Sequence, residues 1–317
     1  MRRYLGLLFF LTTISYSQNY HKVDSLVSLY PKNFNKIEDL VSKIAFDFST
    51  NEEKIRAVFY WVSTSISYDV DFSMKIEKDK LNAFSYKTTS ELIQKEKKFN
   101  SELALKTFNT KLGVCHGYSA VFNELVSKLG IEAKLIRGDL KSNPFQIGNN
   151  IDVNHGWNVV KINEQWKFVD CTLASGKISS KTQQFVFDYN DVYFFQKPEL
   201  FFLNHYPEDE KWLLVKNKSK IDYTKLPLYY VDYFSNQSNI VLPSEGLITT
   251  KNNFIIDLKN FDFESNYLQY IFSSDKNRSN IELNPNSTQF IISLENRSNQ
   301  ILNIFINGKP LVSYLVR

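Results

Sequence analysis

Apolar residues recur at helical spacing in three stretches of the first half of the chain. The first covers residues 55–66 and follows a capping-box pattern at residues 49–53, which predicts an amphipathic helix. A second helix is expected over residues 90–107, with its charges on a solvated face. A third is predicted to begin at Cys115 and to end before Gly130, because glycine is the preferred residue just past a helix end. These helices should pack on a hydrophobic core.

The pattern then changes to the two-residue period that is typical of strands. Residues 133–140 predict one strand, and residues 155–162 and 166–170 predict two more, after a polar loop at 141–154. The last two strands are close enough in sequence to form a hairpin. We interpret the loop at 141–154 either as a rim or lid over a site or as a plain surface connection.

The parity of this hairpin turn, which has either an even or an odd number of residues, determines which side chains of the two strands share a face. If Asn163 and Glu164 are the two loop residues, position 162 pairs with 165, and position 170 lies opposite 157. Because side chains alternate along a strand, His155 and Asp170 then lie on one face, within reach of a hydrogen bond. A loop of different parity would separate them.

Beyond residue 226, short apolar runs alternate with turn signals, a pattern typical of a small β-sandwich. Asn307-Gly308 is a strong hairpin signal before the last strand. Neither histidine nor cysteine follows His205, so this part of the chain is expected to bind or brace rather than to catalyse. The predicted strands cover residues 246–249, 254–258, 267–272, 289–294, 301–306 and 310–315.

The composition indicates a folded protein of two domains. The 317 residues are about twice the usual length of one domain, and 43% of them are hydrophobic and 23% charged. With 10 Gly and 8 Pro, collagen-like and strongly disordered classes are excluded. The 38 basic and 34 acidic residues leave a net charge of +4, or +2 without Arg2 and Arg3, so we expect no nucleic-acid partner.

Residues 1–17 have the pattern of a secretory signal peptide. Arg2 and Arg3 precede an apolar run at residues 5–14, and Ser15-Tyr16-Ser17 forms a small-x-small cleavage site before Gln18. A membrane anchor is disfavoured, because the run is too short to cross about 30 Å of hydrocarbon. The run is not followed by a cysteine that could accept a lipid. We therefore expect export to a periplasmic or extracellular compartment, without a stable membrane span.

Only two cysteines, Cys115 and Cys171, occur in the chain. In an oxidising compartment they could form one disulfide, and this alternative competes with a catalytic role. The four histidines form no recognisable metal-binding spacing, so neither a metal nor a cofactor is expected.

Cys115 is predicted at a helix N-terminus, where unpaired N–H groups and the helix dipole favour the thiolate. The same amides can receive the oxyanion of a tetrahedral intermediate. A carboxylate beside an imidazole orients the ring and stabilises its protonated form, so His155 could deprotonate a thiol and protonate a leaving amine. Cys115, His155 and Asp170 therefore suit a thiol triad, against the alternative that each residue is structural.

Three segments resemble the motifs of the transglutaminase-like superfamily: GVCHGYS at 113–119, NHGWNVV at 154–160 and WKFVD at 166–170. Residues 204–212 are similar to a segment of its kyphoscoliosis-peptidase-like branch, so that the resemblance covers about residues 50–215. It implies a papain-like α+β core, which we place at residues 18–220. The resemblance also implies that Cys115 is the nucleophile, His155 the general base and acid, and Asp170 the residue that orients His155. An all-β, sandwich-like domain at residues 221–317 completes the expected fold.

Two positions depart from the pattern of this family, which commonly has Pro after the aspartate and an aromatic residue two positions later. This chain has Cys171 and Leu173 there. Both changes could reshape the wall near the site, although neither removes a member of the triad. The substrates of relatives therefore do not transfer directly to this chain.

Other residues near the motifs are candidates for supporting roles. His116, in the first turn of its helix, is interpreted as a rim residue, and His116 and Trp157 are candidate substrate contacts. The Trp157 ring also suits the core. By position in the chain, Tyr68 and Asn109 are candidates for a second oxyanion donor.

The leading prediction is an exported thiol enzyme that acts on a protein or peptide amide through a covalent acyl-enzyme. Hydrolysis is favoured over cross-linking, because cross-linking requires an amine to outcompete water and no sequence feature identifies a site for it. The alternative is a catalytically silent binding or scaffold protein that uses the same core and sandwich, since fold alone is a weak guide to reaction.

Overall fold

The computed structural model describes residues 20–75, 85–235, 240–249, 253–259, 261–282 and 287–317. The predicted signal peptide, residues 1–17, lies outside these described residues. None of the helices in the described ranges is both long and apolar enough to cross a membrane.

The helices include the three that the sequence predicts, with ends shifted by a few residues. They are α1 (His21–Ser28), α2 (Ile37–Asp47), α3 (Asn51–Ser65), α4 (Val70–Lys75), α5 (Thr89–Thr110), α6 (Cys115–Lys128), α7 (Cys171–Ser175), α8 (Pro198–Phe201), α9 (Lys220–Lys225) and α10 (Val231–Ser235).

Seventeen strands occur in the described residues. Those of the first two thirds are β1 (Ser67–Tyr68), β2 (Leu112–Gly113), β3 (Ala133–Leu140), β4 (His155–Ile162), β5 (Gln165–Val169), β6 (Gly176–Ile178), β7 (Phe185–Phe187), β8 (Phe194–Gln196) and β9 (His205–Pro207). Those of the last third are β10 (Leu228–Tyr229), β11 (Leu247–Ile248), β12 (Phe254–Asp257), β13 (Leu268–Phe272), β14 (Ser279–Ile281), β15 (Gln289–Ile292), β16 (Gln300–Ile306) and β17 (Lys309–Val316).

Helix α6 is the central helix of the first two thirds. It packs against α3, α5 and α7, and also against strand β4 of a five-stranded antiparallel sheet in the order β8-β5-β4-β3-β9. Trp61, Phe108, Tyr118 and Phe122 are fully buried in the core around it. Thr50 and Glu53 form the predicted capping box at the start of α3. This helix-on-sheet core is the papain-like α+β fold that the resemblance implies.

The hairpin β4–β5 has the predicted register. Ile162 pairs with Gln165 and Asn158 with Val169, so that only Asn163 and Glu164 lie in the turn. Their φ angles of 48° and 62° are both positive, as in the primed turns that match the twist of two-residue hairpins. The parity on which the site depends is therefore confirmed.

Helix α1, which was not predicted, is attached to α3 through a buried ion pair. Arg56 is 2% exposed, and its guanidinium donates to both carboxylate oxygens of Asp24 at 2.8 and 2.6 Å. It also lies 3.2 Å from Asp191 and stacks over the rings of Tyr20 and Phe194. The pairing compensates the cost of burying the cation. It therefore joins three segments that are distant in sequence.

The last third forms the predicted sandwich. One sheet has the order β10-β17-β16-β13-β14 with β11 beside β17, and β12 pairs with β15 in the other. Both sheets contribute to one apolar core that includes Phe254, Leu268, Ile292, Leu302 and Tyr314. Strand β14 has no counterpart among the predicted strands, since two of its three residues are polar.

The first and last parts of the chain meet around helix α9. This helix begins at Lys220, where the sequence places the domain boundary, and its Tyr223 packs on Phe202 and Tyr206. Helices α9 and α10 also interrupt the range predicted to be all-β. The residue at which the two domains divide stays a prediction.

Candidate active site

Cys115 is the first residue of α6 and is partly exposed. The residue before it, Val114, offers no side-chain acceptor to the first turn of the helix. The N–H groups there remain available to a negative group at the helix end. A Cβ at Gly117 would lie 2.6 Å from Oγ1 of Thr107, so glycine is needed where α5 crosses this turn.

Two buried side chains fix α6 against strand β4. The Ser119 hydroxyl donates to the carbonyl oxygen of Gly156 at 2.8 Å, and the Asn158 amide donates to the carbonyl oxygen of Ser119 at 3.0 Å. Both residues belong to the motifs singled out in the sequence. They hold Cys115 at a set distance from the strand that carries His155.

His155 and Asp170 form the predicted pair. Nε2 of His155 lies 2.6 Å from Oδ2 of Asp170, and both side chains are buried. Because this nitrogen faces the carboxylate, the other ring nitrogen, Nδ1, is the one available to Cys115. Cys115 and His155 line the same cavity, and the charge of His155 acts on the Cys115 thiol.

Asp170 directly follows strand β5 and caps helix α7. Its Oδ1 accepts from the backbone N–H groups of Thr172 and Leu173 at 2.9 and 3.0 Å, while Oδ2 faces His155. Cys171 is thus the first residue of a helix, a position that also tolerates proline, and not a further strand residue. The departure from the family pattern at 171 therefore leaves the capping of this turn unchanged.

The charges of the site support one another. Burial disfavours the thiolate, but hydrogen bonds from His155 and from the Gly156 backbone, with the charge on His155, hold the pKa of Cys115 below its usual value. Burial also opposes the imidazolium, yet the Asp170 carboxylate raises the pKa of His155. His155 and His205 in turn lower the pKa of Asp170 against the effect of its burial. The site therefore favours a thiolate–imidazolium pair.

His205, to which the sequence analysis assigned no role, is a further neighbour of Asp170. Its Nε2 lies 3.2 Å from Oδ2 of Asp170, and its Nδ1 lies 3.2 Å from the carbonyl oxygen of Phe201. Burial lowers the pKa of His205, which favours the neutral ring. The ring stacks on Phe201 at a centroid distance of 3.8 Å. The likeness of residues 204–212 to a family segment was the one sequence signal for it.

One potential ligand atom from each of His155, Asp170 and His205 lies within 4.8 Å of the others, so a metal site must be considered. Ligand atoms bound at about 2.0–2.1 Å in a tetrahedral metal site are roughly 3.3 Å apart. The 2.6 Å separation of His155 from Asp170 is instead that of a charge-assisted hydrogen bond. These residues fit a hydrogen-bonded network better than a metal centre.

A cavity of about 610 Å³ opens over Cys115 and His155. Tyr68 also lines it, because β1 pairs with β2 and thereby places Tyr68 beside Gly113, two residues before Cys115. Burial and the nearby charge of Cys115 raise the pKa of Tyr68 to about 12, so its hydroxyl keeps its proton. Asn109, the other candidate oxyanion donor, is an exposed residue of α5 that does not line this cavity.

The structure does not support the predicted substrate contacts of Trp157 and His116. The Trp157 side chain is fully buried, and its ring packs behind His155 and His205. His116 faces α5, where its Nε2 lies 2.8 Å from Oδ1 of Asn100. Burial and the charge of Arg137 lower the pKa of His116 to about 4. Neither residue lines the cavity.

Cys115 and Cys171 are both free thiols in the structure. Cys171 is buried, and its burial together with the charge of Asp170 raises the pKa of its thiol. If strand β5 continued through Cys171, the alternation of side chains would point this residue away from the face of Asp170. The structure separates the two thiols by beginning α7 at Cys171.

This arrangement is that of a papain-like thiol site, and the comparisons with known proteins agree with it. Residues 39–171 match the family model of the transglutaminase-like superfamily. The match contains Cys115, His155 and Asp170. Residues 39–171 are therefore a transglutaminase-like domain.

Kyphoscoliosis peptidases are among the homologues of the chain. It is 28% identical to the kyphoscoliosis peptidase of Mus musculus over 202 residues, which cover 63% of this chain and 27% of that protein. It is 27% identical over 139 residues to the "Lim and transglutaminase domain protein ltd-1" of Caenorhabditis elegans, covering 38% and 19% of the two chains. The match thus spans about a quarter or less of the length of these relatives.

Two solved structures are similar in part. The match to a crystal structure of a TGase has a TM-score of 0.31 and 18% identity. It covers 58% of this chain and 40% of the chain in that structure. A putative cysteine protease from Cytophaga hutchinsonii has a TM-score of 0.26 and 16% identity, covering 48% and 42%.

Proposed function

We propose that this chain is an exported thiol enzyme that forms a covalent acyl-enzyme on Cys115 from a peptide or related amide. The observation that carries the proposal is the buried His155–Asp170 pair, 2.6 Å apart, beside a Cys115 thiol that reaches an open cavity. Burying a carboxylate is costly unless it is paired. A paired carboxylate that orients a histidine toward a thiol is the arrangement that nucleophilic catalysis uses.

Acylation begins when the Cys115 thiolate attacks the carbonyl carbon of the amide. The carbonyl oxygen becomes an oxyanion, which the backbone N–H of Cys115 and the Tyr68 hydroxyl are placed to receive. The imidazolium of His155 then gives its proton to the amide nitrogen as the C–N bond breaks. The amine leaves, and a thioester and a neutral His155 remain.

Deacylation reverses the proton transfer with water in place of the amine. Neutral His155 takes a proton from water as the oxygen attacks the thioester carbon. The second tetrahedral intermediate collapses, the C–S bond breaks, and the acid leaves while the thiolate–imidazolium pair forms again. Asp170 keeps its charge throughout and holds the ring in place.

Hydrolysis is proposed over cross-linking because the described lining of the cavity contains no carboxylate to attract an amine. A lysine substrate carries a positive charge, so an acceptor site for it would gain from an acidic residue. Water needs no such site.

The test of the proposal incubates the full-length protein with a peptide library in ¹⁸O-labelled water and with a labelled primary amine. Cleaved peptides that carry one ¹⁸O and no amine are expected, and Cys115→Ala and His155→Ala should each lower the rate at least ~1000-fold. Cys171→Ala is the matched control and should retain activity, since this thiol is buried away from the cavity.

Other outcomes assign the chain differently. Amine incorporation without ¹⁸O would establish cross-linking. An absence of any product, with Cys115 no more reactive than a free cysteine, would favour the silent binding or scaffold protein.

The export part of the proposal rests on the pattern of residues 1–17. Expression of the full chain in a bacterial host should give a mature protein that begins at Gln18, measured by mass spectrometry of the secreted or periplasmic fraction. A cytoplasmic protein that retains Arg2 and Arg3 would refute export and leave the thiol chemistry unaffected.

A further inference from the structure

The cavity over Cys115 has a wall that comes from the last third of the chain. Residues 228–231 line it, as do Cys115 and His155, together with Leu173, Ile178 and Phe185 from the segment after Asp170. Its volume of about 610 Å³ lies in the range of pockets that enclose a ligand. The part of the chain expected to bind or brace rather than to catalyse therefore reaches the site.

This wall is held firmly in place. Strand β10 pairs with β17 of the sandwich, and the buried Asn204 side chain donates to the carbonyl oxygen of Tyr229 at 2.6 Å and accepts from its N–H at 3.3 Å. The Tyr230 hydroxyl lies 3.0 Å from Oγ of Ser313. Because the wall is already ordered, ligand binding does not carry the entropic cost of ordering it, and the wall can discriminate between ligands by its shape.

The lining is rich in tyrosine and phenylalanine rings. Five rings contribute to it, and the described lining contains neither aspartate nor glutamate. The five are Tyr68, Phe185, Tyr193, Tyr229 and Tyr230.

Both lysines of the lining already have partners. Lys177 lies 2.6 Å from Asp188, and Lys141 donates to the carbonyl oxygens of Tyr223 and Leu226 at 2.8 and 2.5 Å. Burial also lowers the pKa of Lys141 to about 7. An anionic ligand would therefore have to displace an existing contact, and a cationic one would meet no carboxylate.

We propose that residues 228–231 form a specificity wall that selects amide substrates carrying a large uncharged side chain, aromatic or aliphatic, next to the reacting carbonyl. This inference rests on the proposed function, since it places the reacting carbonyl at Cys115. The occupant is a substrate side chain because the same cavity contains Cys115 and His155. Tyr230, which lines the cavity and is only partly buried, is the aromatic residue of this wall that we assign to contact this side chain.

The experiment measures the concentration at which peptide amides protect Cys115 from alkylation by iodoacetamide. This measurement requires the amide to bind but not to be cleaved. N-acetyl amides of Phe and Leu should protect the intact protein at about 10-fold lower concentration than those of Asp and Lys. Tyr230→Ala should remove this preference, whereas Tyr230→Phe, which keeps the ring, should preserve it. Circular dichroism of each variant establishes that it is folded.

Equal protection by charged and uncharged amides, an absence of protection by any amide, or an unchanged preference in folded Tyr230→Ala would overturn the specificity wall. The proposed function is judged separately by the ¹⁸O experiment. If the protection pattern holds while no peptide is cleaved, the wall stands as a binding site and the hydrolase proposal fails.

Discussion

At the scale of single residues, the site depends on how one carboxylate is shared. Asp170 receives two backbone N–H groups on Oδ1 and lies near two histidine rings through Oδ2. Each donor removes part of the cost of burying the charge. The carboxylate is thereby fixed in one orientation, and His155 with it.

The pH dependence of Cys115 reactivity follows from its surroundings. Because its pKa is lowered, the thiolate is lost only as the pH falls through a value below the ~8.5 of a free cysteine. The rate of alkylation against pH should therefore show its inflection below that of a free cysteine. In His155→Ala only the Gly156 backbone still opposes the burial that raises the pKa, so the inflection should move to higher pH than in the intact protein. An inflection of the intact protein at or above the free value would contradict the ion pair.

Tyr68→Phe removes only the hydroxyl that is placed to receive the oxyanion. The variant should lose about 100-fold in kcat with little change in KM, because the lost contact forms only in the transition state. Steady-state kinetics on the best peptide of the library measure both values. A change confined to KM would instead assign Tyr68 to substrate binding.

His205→Phe tests whether His205 positions the triad. The variant keeps the ring stacked on Phe201 but removes the contact with Asp170. With one donor fewer, the carboxylate acts more strongly on His155 and should raise its pKa further, so the alkaline limb of the rate profile should move to higher pH. His205→Gln, which retains an N–H donor, should restore part of the profile. A purely structural role would lower the melting temperature and leave the profile of the folded variant unchanged.

At the scale of elements, the sequence predicts what local periodicity and turn geometry determine. The α3, α5 and α6 helices and the β4–β5 register follow from spacing and from Asn163-Glu164, so the Cys115, His155 and Asp170 cluster could be assembled from sequence. Strands β8 and β9 could not, because they are three residues long and exist through pairing with β5 and β3. His205 lies on β9, and its contact with Asp170 spans 35 positions. The buried Lys141 likewise lies in a loop that looks polar.

The turn of the β4–β5 hairpin allows a stability test. Glu164 has a φ angle of 62°, a conformation that glycine adopts at lower cost. Glu164→Gly should therefore raise the free energy of unfolding by about 0.5–1 kcal/mol, less any contribution of the exposed ion pair of Glu164 with Lys161. Denaturant unfolding measures this. Asn163→Gly is the matched control and should gain less, since asparagine tolerates positive φ. A loss of stability in Glu164→Gly would mean that the turn has another geometry.

At the scale of the whole molecule, the two parts of the chain are connected through buried polar contacts. Lys141 holds the end of α9, and Asn204 holds β10. Ile147 of the 141–154 loop is buried against Leu228 and Leu315. Both ends of the loop line the cavity, through Lys141, Ser142 and Asn154, so the loop forms part of its rim. Its packing also fixes the sandwich beside the cavity.

The predicted division into domains at residue 220 makes residues 215–245 the stretch where limited proteolysis should cut, and these contacts restrict the cut to part of it. Since 220–230 is anchored, we expect the first cut after residue 231, with all three triad residues on the larger fragment. Mass spectrometry locates the cut. The fragments should elute together in gel filtration, because the buried contacts remain. Cleavage inside the β4–β5 hairpin, or fragments that separate at once, would contradict this organisation.

The adjacency of Asn204 and His205 has a consequence for how this protein can evolve. One residue holds the specificity wall and its neighbour touches Asp170. A one-residue insertion or deletion between α8 and β9 would exchange the faces of these two side chains and break both contacts together. Substitutions there can accumulate gradually, whereas changes of length cannot. Among homologues that retain both contacts, the number of residues from Phe201 to His205 should vary less than the identities of the residues in that segment.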